Sequence, residues 1–274
     1  MVTTSDGGVT WTVRDSGTEA ELRAVWMVDT DLVVAVGQEG THTGTFATAI
    51  RSEDGGATWE SATVAVAESF LNGVAMFDSS RGIAAGGLGS DETLLVTEDG
   101  GRTWQDRSRK DGSTGFNDVW AHGTQHAWLG GGRGYVLYTT DGGQTWLEAD
   151  AETTRPMWAL HFVSTTHGWA VTNNTPDVHY TEDGGASWTK ATAAGFGNFS
   201  DVHFGSPDVG IAVGPTGGVY GTEDAGRTWA EHAPGWSGFG HVRSVWMTSE
   251  TDGVIVGTEG KIQYTRSAGG MSEK

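Results

Sequence analysis

Apolar and polar positions alternate in short runs along the whole chain, and Gly-, Asp- and Ser-rich breaks separate the runs. Such runs predict half-buried strands joined by turns. They fall into classes that return in a fixed order. The first is "LRAVWMVD", "LNGVAMFD", "FNDVWAHG", "MWALHFVS", "FSDVHFGS" and "VRSVWMTS"; the second includes "DLVVAVG", "RGIAAGG" and "VGIAVGP". The third, such as "YVLYT" or "DVHYT", runs into an octamer, and a fourth starts at the Trp that ends it. The octamers are "TSDGGVTW" (4–11), "SEDGGATW" (52–59), "TEDGGRTW" (97–104), "TTDGGQTW" (139–146), "TEDGGASW" (181–188) and "TEDAGRTW" (222–229). Their tryptophans, Trp11, Trp59, Trp104, Trp146, Trp188 and Trp229, are spaced by 48, 45, 42, 42 and 41 residues.

Four strands in about 42 residues predict the blade of a β-propeller. The chain is expected to be all-β and a single domain over 1–274, a six-bladed β-propeller of four-stranded antiparallel blades. The expected blades are 16–66, 67–110, 111–152, 153–194, 195–234 and 235–270. Segment 1–15 supplies the closing strand, an N-terminal outer strand completing the C-terminal blade. A stub of third strand, "VTT", is left over at the start, and "TRSAGG" (265–270) carries Ser267 where the octamers carry Asp. Seven blades are the alternative if N-terminal residues are missing.

Each octamer joins a third strand to a fourth. Asp6, Asp54, Asp99, Asp141, Asp183 and Asp224 can accept backbone N–H groups and fix a turn. The glycine that follows supplies positive φ, and the Trp packs its indole on the blade. Six copies of one motif point to a structural role rather than six reactive sites.

The pattern S/T-x-D-x-G-x-T/S-W resembles the Asp-box, or BNR, repeat of sialidase-like propellers. The longer units "HGWAVTNNTPDVHYTEDGGASW" (167–188) and "VGIAVGPTGGVYGTEDAGRTW" (209–229) resemble the photosystem II stability and assembly factor-like propellers. The resemblance spans nearly the whole chain and implies the fold rather than the function. Members of that wider group include glycosidases, assembly factors and sorting receptors. It also implies an extracytoplasmic location, although "MVTTSDGGVTW" shows no signal peptide. The assembly factors resemble seven-bladed rings with basic patches, so the photosystem role is not carried over to an acidic chain.

The formal charge is −19, which argues against nucleic acid and anionic membrane surfaces as partners. Cysteine is absent, so disulfides and thiolate chemistry are excluded. No apolar stretch is long enough for a transmembrane helix, and membrane insertion is not expected. No metal-ligand spacing and no cofactor motif occur, so neither is expected. The protein is expected to be a monomer that binds a protein or a glycan.

The resemblance places a binding face opposite the box turns. Aligning the first strands gives a mostly polar column there: Arg23, Asn72, Asn117, Trp158, Ser200 and Arg243. Two positions on lie Val25, Val74, Val119, Leu160, Val202 and Val245, expected in the core. Arg23 and Arg243 suit a carboxylate or similar anion. Phe196, Phe199, Trp236 and Phe239 are loop aromatics that suit a sugar ring or a partner side chain and equally suit capping the core. Asp118 and Asp201 share the second position of the first strand and are the acids a glycoside hydrolase or lyase would need. Their bland role is a hydrogen bond to a neighbouring blade. His161 and His203 replace tryptophans in one column and are expected to pack between blades. A non-catalytic, binding or assembly-type propeller is the function this pattern supports; a carbohydrate-active enzyme using Asp118 and Asp201 is the alternative.

Overall fold

The computed structural model describes residues 1–8, 10–41, 44–66, 68–87, 91–109, 114–172, 177–193, 198–214, 218–231 and 241–266. Among them the regular structure is β-strand, with two single 3-10 turns and no α-helix. The chain divides into two compact units, Met1–Gln125 and His126–Lys274.

In the first unit β1 (Val2–Thr3) and β2 (Thr12–Val13) form a hairpin. Strands β3 (Glu21–Met27), β4 (Val33–Thr41), β5 (Gly44–Ser52) and β6 (Glu60–Ser61) follow as an antiparallel sheet in chain order. Then come β7 (Thr63–Val64), β8 (Leu71–Met76), β9 (Gly82–Gly86), β10 (Thr93–Thr97) and β11 (Thr103–Asp106), arranged β7-β11-β10-β9-β8. The last strand, β12 (Phe116–His122), lies beside β8.

The second unit opens with β13 (His126–Gly131), β14 (Tyr135–Thr139) and β15 (Leu147–Asp150), paired antiparallel. The next sheet is β16 (Met157–Phe162), β17 (Gly168–Thr172), β18 (Val178–Thr181) and β19 (Thr189–Lys190). Strands β20 (Thr192–Ala193), β21 (Asp201–Phe204), β22 (Gly210–Val213), β23 (Val219–Thr222) and β24 (Thr228–Glu231) are ordered β20-β24-β23-β22-β21. Strands β25 (Val242–Met247), β26 (Asp252–Gly257) and β27 (Ile262–Arg266) form the last sheet.

The strand order within each repeat is the one the alternation predicts. The closing strand is different. Thr12–Val13 pairs with Val2–Thr3 of its own segment, and β27 pairs only with β26 among the described ladders. The cause is local: Val2 and Val13 flank a single box turn, so the hairpin closes at little entropic cost. The described residues therefore form seven sheets rather than six. The N-terminal hairpin holds strands three and four of a repeat, and the last sheet holds strands one to three.

Each core lies between consecutive repeats. In the first unit Val74 and Met76 of β8 share a buried cluster with Val34 and Val36 of β4 and Ala47 and Ala49 of β5. In the second, Val202 and Phe204 pack with Val171 and Val178, and Val245 and Met247 with Val213 and Val219. The expected apolar column is buried at Val74, Val119, Leu160, Val202 and Val245, but Val25 is 60% exposed. Val25 and Val74 hold the same place in their strands, but only Val74 packs into a buried cluster, with Val34, Val36, Ala47 and Ala49.

The fourth strand is divided in two places. After β6, the Ala62 N–H still bonds the Ala49 carbonyl at 2.9 Å, but the Thr63 N–H bonds Arg102 at 2.9 Å, and β7 runs parallel to β11. The second unit repeats this. Ala191 bonds Val178 at 2.8 Å, Thr192 bonds Arg227 at 2.9 Å, and β20 runs parallel to β24.

Candidate binding site

The six boxes close alike. In the fourth, Asp141 Oδ1 accepts the Thr145 N–H at 2.9 Å, and Oδ2 accepts its hydroxyl at 2.5 Å. The Thr139 hydroxyl donates to Asp141 Oδ1 at 2.8 Å and accepts the Gly143 N–H at 3.0 Å. The Thr145 hydroxyl first, then its N–H, hold Asp141 down at about 2. Asp6 and Asp54 are likewise lowered to about 2, chiefly by the hydroxyls of Thr10 and Thr58. At Asp99, Asp183 and Asp224 burial pushes upward, and hydrogen bonds from Thr103, Ser187 and Thr228 outweigh it. Trp59, Trp104, Trp188 and Trp229 each donate their indole N–H to a glycine carbonyl of their own box, at 2.9–3.2 Å. Trp146 is half-buried, and Trp11 is exposed. The box carboxylates are thus spent on their own turns. Neighbouring boxes are also tied, Arg102 to Glu53 at 2.6 Å and Arg227 to Glu182 at 2.5 Å. The sequence signal for these pairs is a Glu in one octamer and an Arg in the next.

One box departs from the rule. Ala225 has φ 60, where Gly55, Gly100 and Gly184 have φ 67, 73 and 76. A Cβ at those three glycines would lie 2.7–2.8 Å from a backbone carbonyl. Ala225→Gly is therefore expected to stabilise the protein by about 1 kcal/mol. A higher midpoint of urea unfolding would show it; an unchanged midpoint would mean that this turn has relaxed around the methyl group.

The polar column of the first strands has a backbone cause. The ladders slip by one residue at Arg23 in β3, Asn72 in β8, Trp158 in β16 and Arg243 in β25. Such a bulge leaves its residue out of the ladder and re-aims the side chain. In β21 the ladder is regular from Asp201, and the Ser200 N–H bonds the Val213 carbonyl at 2.7 Å.

In the first unit, Arg23 Nη1 donates to Asn72 Oδ1 at 2.8 Å, and Asn72 Nδ2 donates to the Phe116 carbonyl at 2.8 Å. The Arg23 guanidinium lies over the Phe70 ring at 4.8 Å, and its Nε is 3.7 Å from Glu21. Nη2 makes no hydrogen bond among the described residues. Asn117, next to Phe116, is half-buried. In the second unit Trp158 is 42% exposed. Arg243 is exposed and makes no ion pair among the described residues.

Asp201 and Asp118 lie in different units. Asp201 Oδ2 accepts the Ser244 hydroxyl at 2.6 Å and the Val245 N–H at 2.9 Å, and Oδ1 accepts the Val202 N–H at 2.8 Å. Burial pushes its pKa up to about 6 against those three donors. Part of the residue's surface is accessible, but three donors surround the carboxylate itself. Its carboxylate thus ties β21 to β25. Asp118 accepts the Val119 N–H at 2.8 Å. His161 and His203 are buried, with ring centroids 3.9 Å apart. Their Nδ1 atoms accept the backbone N–H of Phe204 and Met247 at 3.2 and 3.1 Å. Both therefore carry the proton on Nε2 and fasten one first strand to the next. Among the loop aromatics Phe199 is buried against Tyr220. Phe196, Trp236, Phe239 and Ser267 lie outside the described residues.

No family model matches the sequence, and no curated protein is similar to it at the sequence level. Solved structures are similar in fold. YCF48 bound to D1 peptide matches with a TM-score of 0.57 at 19% identity, over 91% of this chain and 93% of that one. YCF48 from Cyanidioschyzon merolae gives 0.63 at 17%, over 91% and 96%. The GH74 xyloglucanase from Xanthomonas campestris gives 0.65 at 14%, over 90% of this chain and 45% of the enzyme. The fold is a β-propeller. Fold likeness at these identities leaves function to the site.

Proposed function

We propose that this chain is a non-catalytic binding propeller that takes segments of another protein on the bulged first-strand residues of each unit, Arg23 in the first and Arg243 in the second each receiving an acidic group. The bulges carry the reading. Four separate first strands break their ladders at the column that sequence alignment marks as polar. A device that recurs at one position, and there turns out Arg, Asn, Trp and Arg, fits a binding surface better than a packing need. YCF48, similar in fold, has been solved with a D1 peptide, which favours a peptide over a glycan. The enzymatic alternative is weaker, because the Asp201 carboxylate is spent on Ser244, Val245 and Val202.

Calorimetric titration with acidic peptides, sialic acid and uronic acids tests the reading. Arg23→Ala and Arg243→Ala are each expected to weaken an acidic peptide by about tenfold, the scale of one charge-assisted hydrogen bond. Melting should hardly change, since Arg243 is exposed and Arg23 partly so. If the double variant loses less than the two single losses combined, the arginines do not act independently. Equal affinities in all four proteins would sink the proposal, and so would turnover of a chromogenic glycoside that Asp201→Asn abolishes.

A further inference from the structure

Two loops between strands two and three are built alike. Gly132–Gly134 and Thr258–Gly260 are single 3-10 turns, and each holds a non-glycine residue in the left-handed region, Arg133 at φ 59, ψ 28 and Glu259 at φ 62, ψ 22. A Cβ crowds the backbone in that region, so glycine is the relaxed residue there. The sequence around the first turn, "LGGGRGY" (129–135), is otherwise rich in glycine, yet it sets an arginine where the turn itself favours glycine. The two turns differ in the fate of the strained side chain. Glu259 pairs with Lys261 at 3.6 Å. The matching place after Arg133 holds Tyr135, whose hydroxyl donates to Glu148 at 3.0 Å. Arg133 is exposed, and its guanidinium makes no hydrogen bond or ion pair among the described residues. Strain kept for a side chain that holds nothing in the fold points to a use outside the fold.

The surroundings of the turn add a separate observation. The Ala151 N–H donates to the Gly134 carbonyl at 3.4 Å, and a Cβ at Gly134 would lie 2.1 Å from the Thr153 carbonyl oxygen. A Cβ at Gly130 would meet Met157 at 3.1 Å. The turn is thus fixed against the segment that enters β16. The residue after Met157 is Trp158, 42% exposed at the bulge of that strand. Arg155, between Thr153 and Met157, is exposed, and its guanidinium too makes no hydrogen bond or ion pair among the described residues. Two unpaired cations and an exposed indole therefore share one end of the second unit, on a chain whose formal charge is −19.

We propose that this end of the second unit is a two-part subsite, in which Arg133 takes the carboxylate of an acidic residue in a bound peptide and the Trp158 indole takes an aromatic side chain beside it. A guanidinium offers forked donors that match a carboxylate. An acidic protein repels anions at long range, so an acidic ligand needs local cations to hold it, and Arg155 adds a second charge next to the first. An exposed indole face suits a planar ring. The turn is pinned to the segment before β16, so Arg133 is presented on a fixed backbone and less freedom is lost on binding. The inference rests on the reading that bulged residues receive a segment of another protein, and it names what that segment carries.

Hexapeptides with blocked ends and Glu-Phe, Gln-Phe or Glu-Gly at the centre, titrated by calorimetry, are the probes. The intact protein is expected to bind the Glu-Phe peptide about tenfold tighter than either of the others, the scale of one charge-assisted hydrogen bond. Arg133→Gly should abolish the preference for Glu over Gln and, because glycine relaxes the turn, raise the midpoint of urea unfolding. Glu259→Gly relaxes the matching turn and should leave binding unchanged. Trp158→Ala should abolish the preference for Phe over Gly. The proposal is overturned if the intact protein shows no preference among the peptides, or if Arg133→Gly keeps the preference for Glu. A lowered midpoint for Arg133→Gly would overturn it as well, by giving the arginine a structural role. If Arg133→Gly binds like the parent while Arg243→Ala binds more weakly, this subsite alone falls and the bulged column stands. If the intact protein binds none of the three peptides, both readings fall.

Discussion

Trp169→Ala is expected to remove about 3–5 kcal/mol of stability, the cost of deleting a fully buried large aromatic. Trp169 is 1% exposed and stacks on Phe204, with ring centroids 3.4 Å apart and planes at 9°. Its indole N–H donates to the Ala225 carbonyl at 2.8 Å, so one side chain holds strand two of one repeat to the box of the next. Phe204 in turn meets Trp229 edge-on at 5.8 Å. Truncation would open a cavity beside Phe204 and orphan the Ala225 carbonyl. Trp169→Phe keeps the stack and loses the hydrogen bond, so it should cost only about 1–2 kcal/mol. Denaturant unfolding of the pair measures both terms. A Trp169→Ala protein as stable as the parent would mean that the aromatic stack does not hold these repeats together.

Acid should destabilise the protein well above the range where carboxylates titrate. Burial lowers His203 to about 3, partly offset by its contact with the backbone at Phe204. An unfolded histidine titrates near 6.5. The stabilising contribution of neutral His203 is therefore full above about pH 6.5 and is lost as pH falls toward about 3, worth roughly 3–5 kcal/mol in all. Asp201 acts the other way. Its folded value of about 6 lies above the unfolded one near 3.9, so its contribution is full below about pH 4 and is lost as pH rises through about 6. The box aspartates add a further loss below about pH 4, because their folded values are depressed. Melting curves from pH 7 to pH 3 can separate these effects. His203→Asn keeps an acceptor for the Met247 N–H and cannot titrate, so it should flatten the decline between pH 6.5 and pH 4 relative to the parent. Asp201→Asn should steepen it. Parallel curves for His203→Asn and the parent would show that this ring does not set the acid sensitivity.

The box octamers made the turns legible, because Thr-x-Asp-x-Gly-x-Thr fixes its own hydrogen bonds within eight residues. The first strands were legible as strands for a similar reason, since alternation is a local property. What lay beyond the sequence was anything decided by a neighbour. Val25 has the same pattern as Val74, yet only Val74 packs into a buried cluster. Thr12–Val13 reads as a strand four, but its partner is settled by which third strand is nearest along the chain. At Arg23 and Trp158 the sequence gives polarity and aromaticity in a column. The slip in the ladder that turns them outward is a matter of register, which no single strand encodes. The position of Asp201 in its strand suits an acid catalyst, but its oxygens accept from Ser244 and Val245, residues of another strand that its own sequence neighbourhood does not encode.

The short strands β7 and β20 bear on how such a molecule comes apart. The residue before each strand bonds one repeat and the strand itself bonds the next, so the seam cannot part without breaking backbone bonds on one side or the other. In the first unit the seam between β8 and β12 has no such crossing among the described residues; in the second, that between β21 and β25 has none. There the neighbours are held by side chains, Asn72 on Phe116 in one case and Asp201 on Ser244 in the other. Local opening is therefore expected to keep the first repeat with the second and the fourth with the fifth.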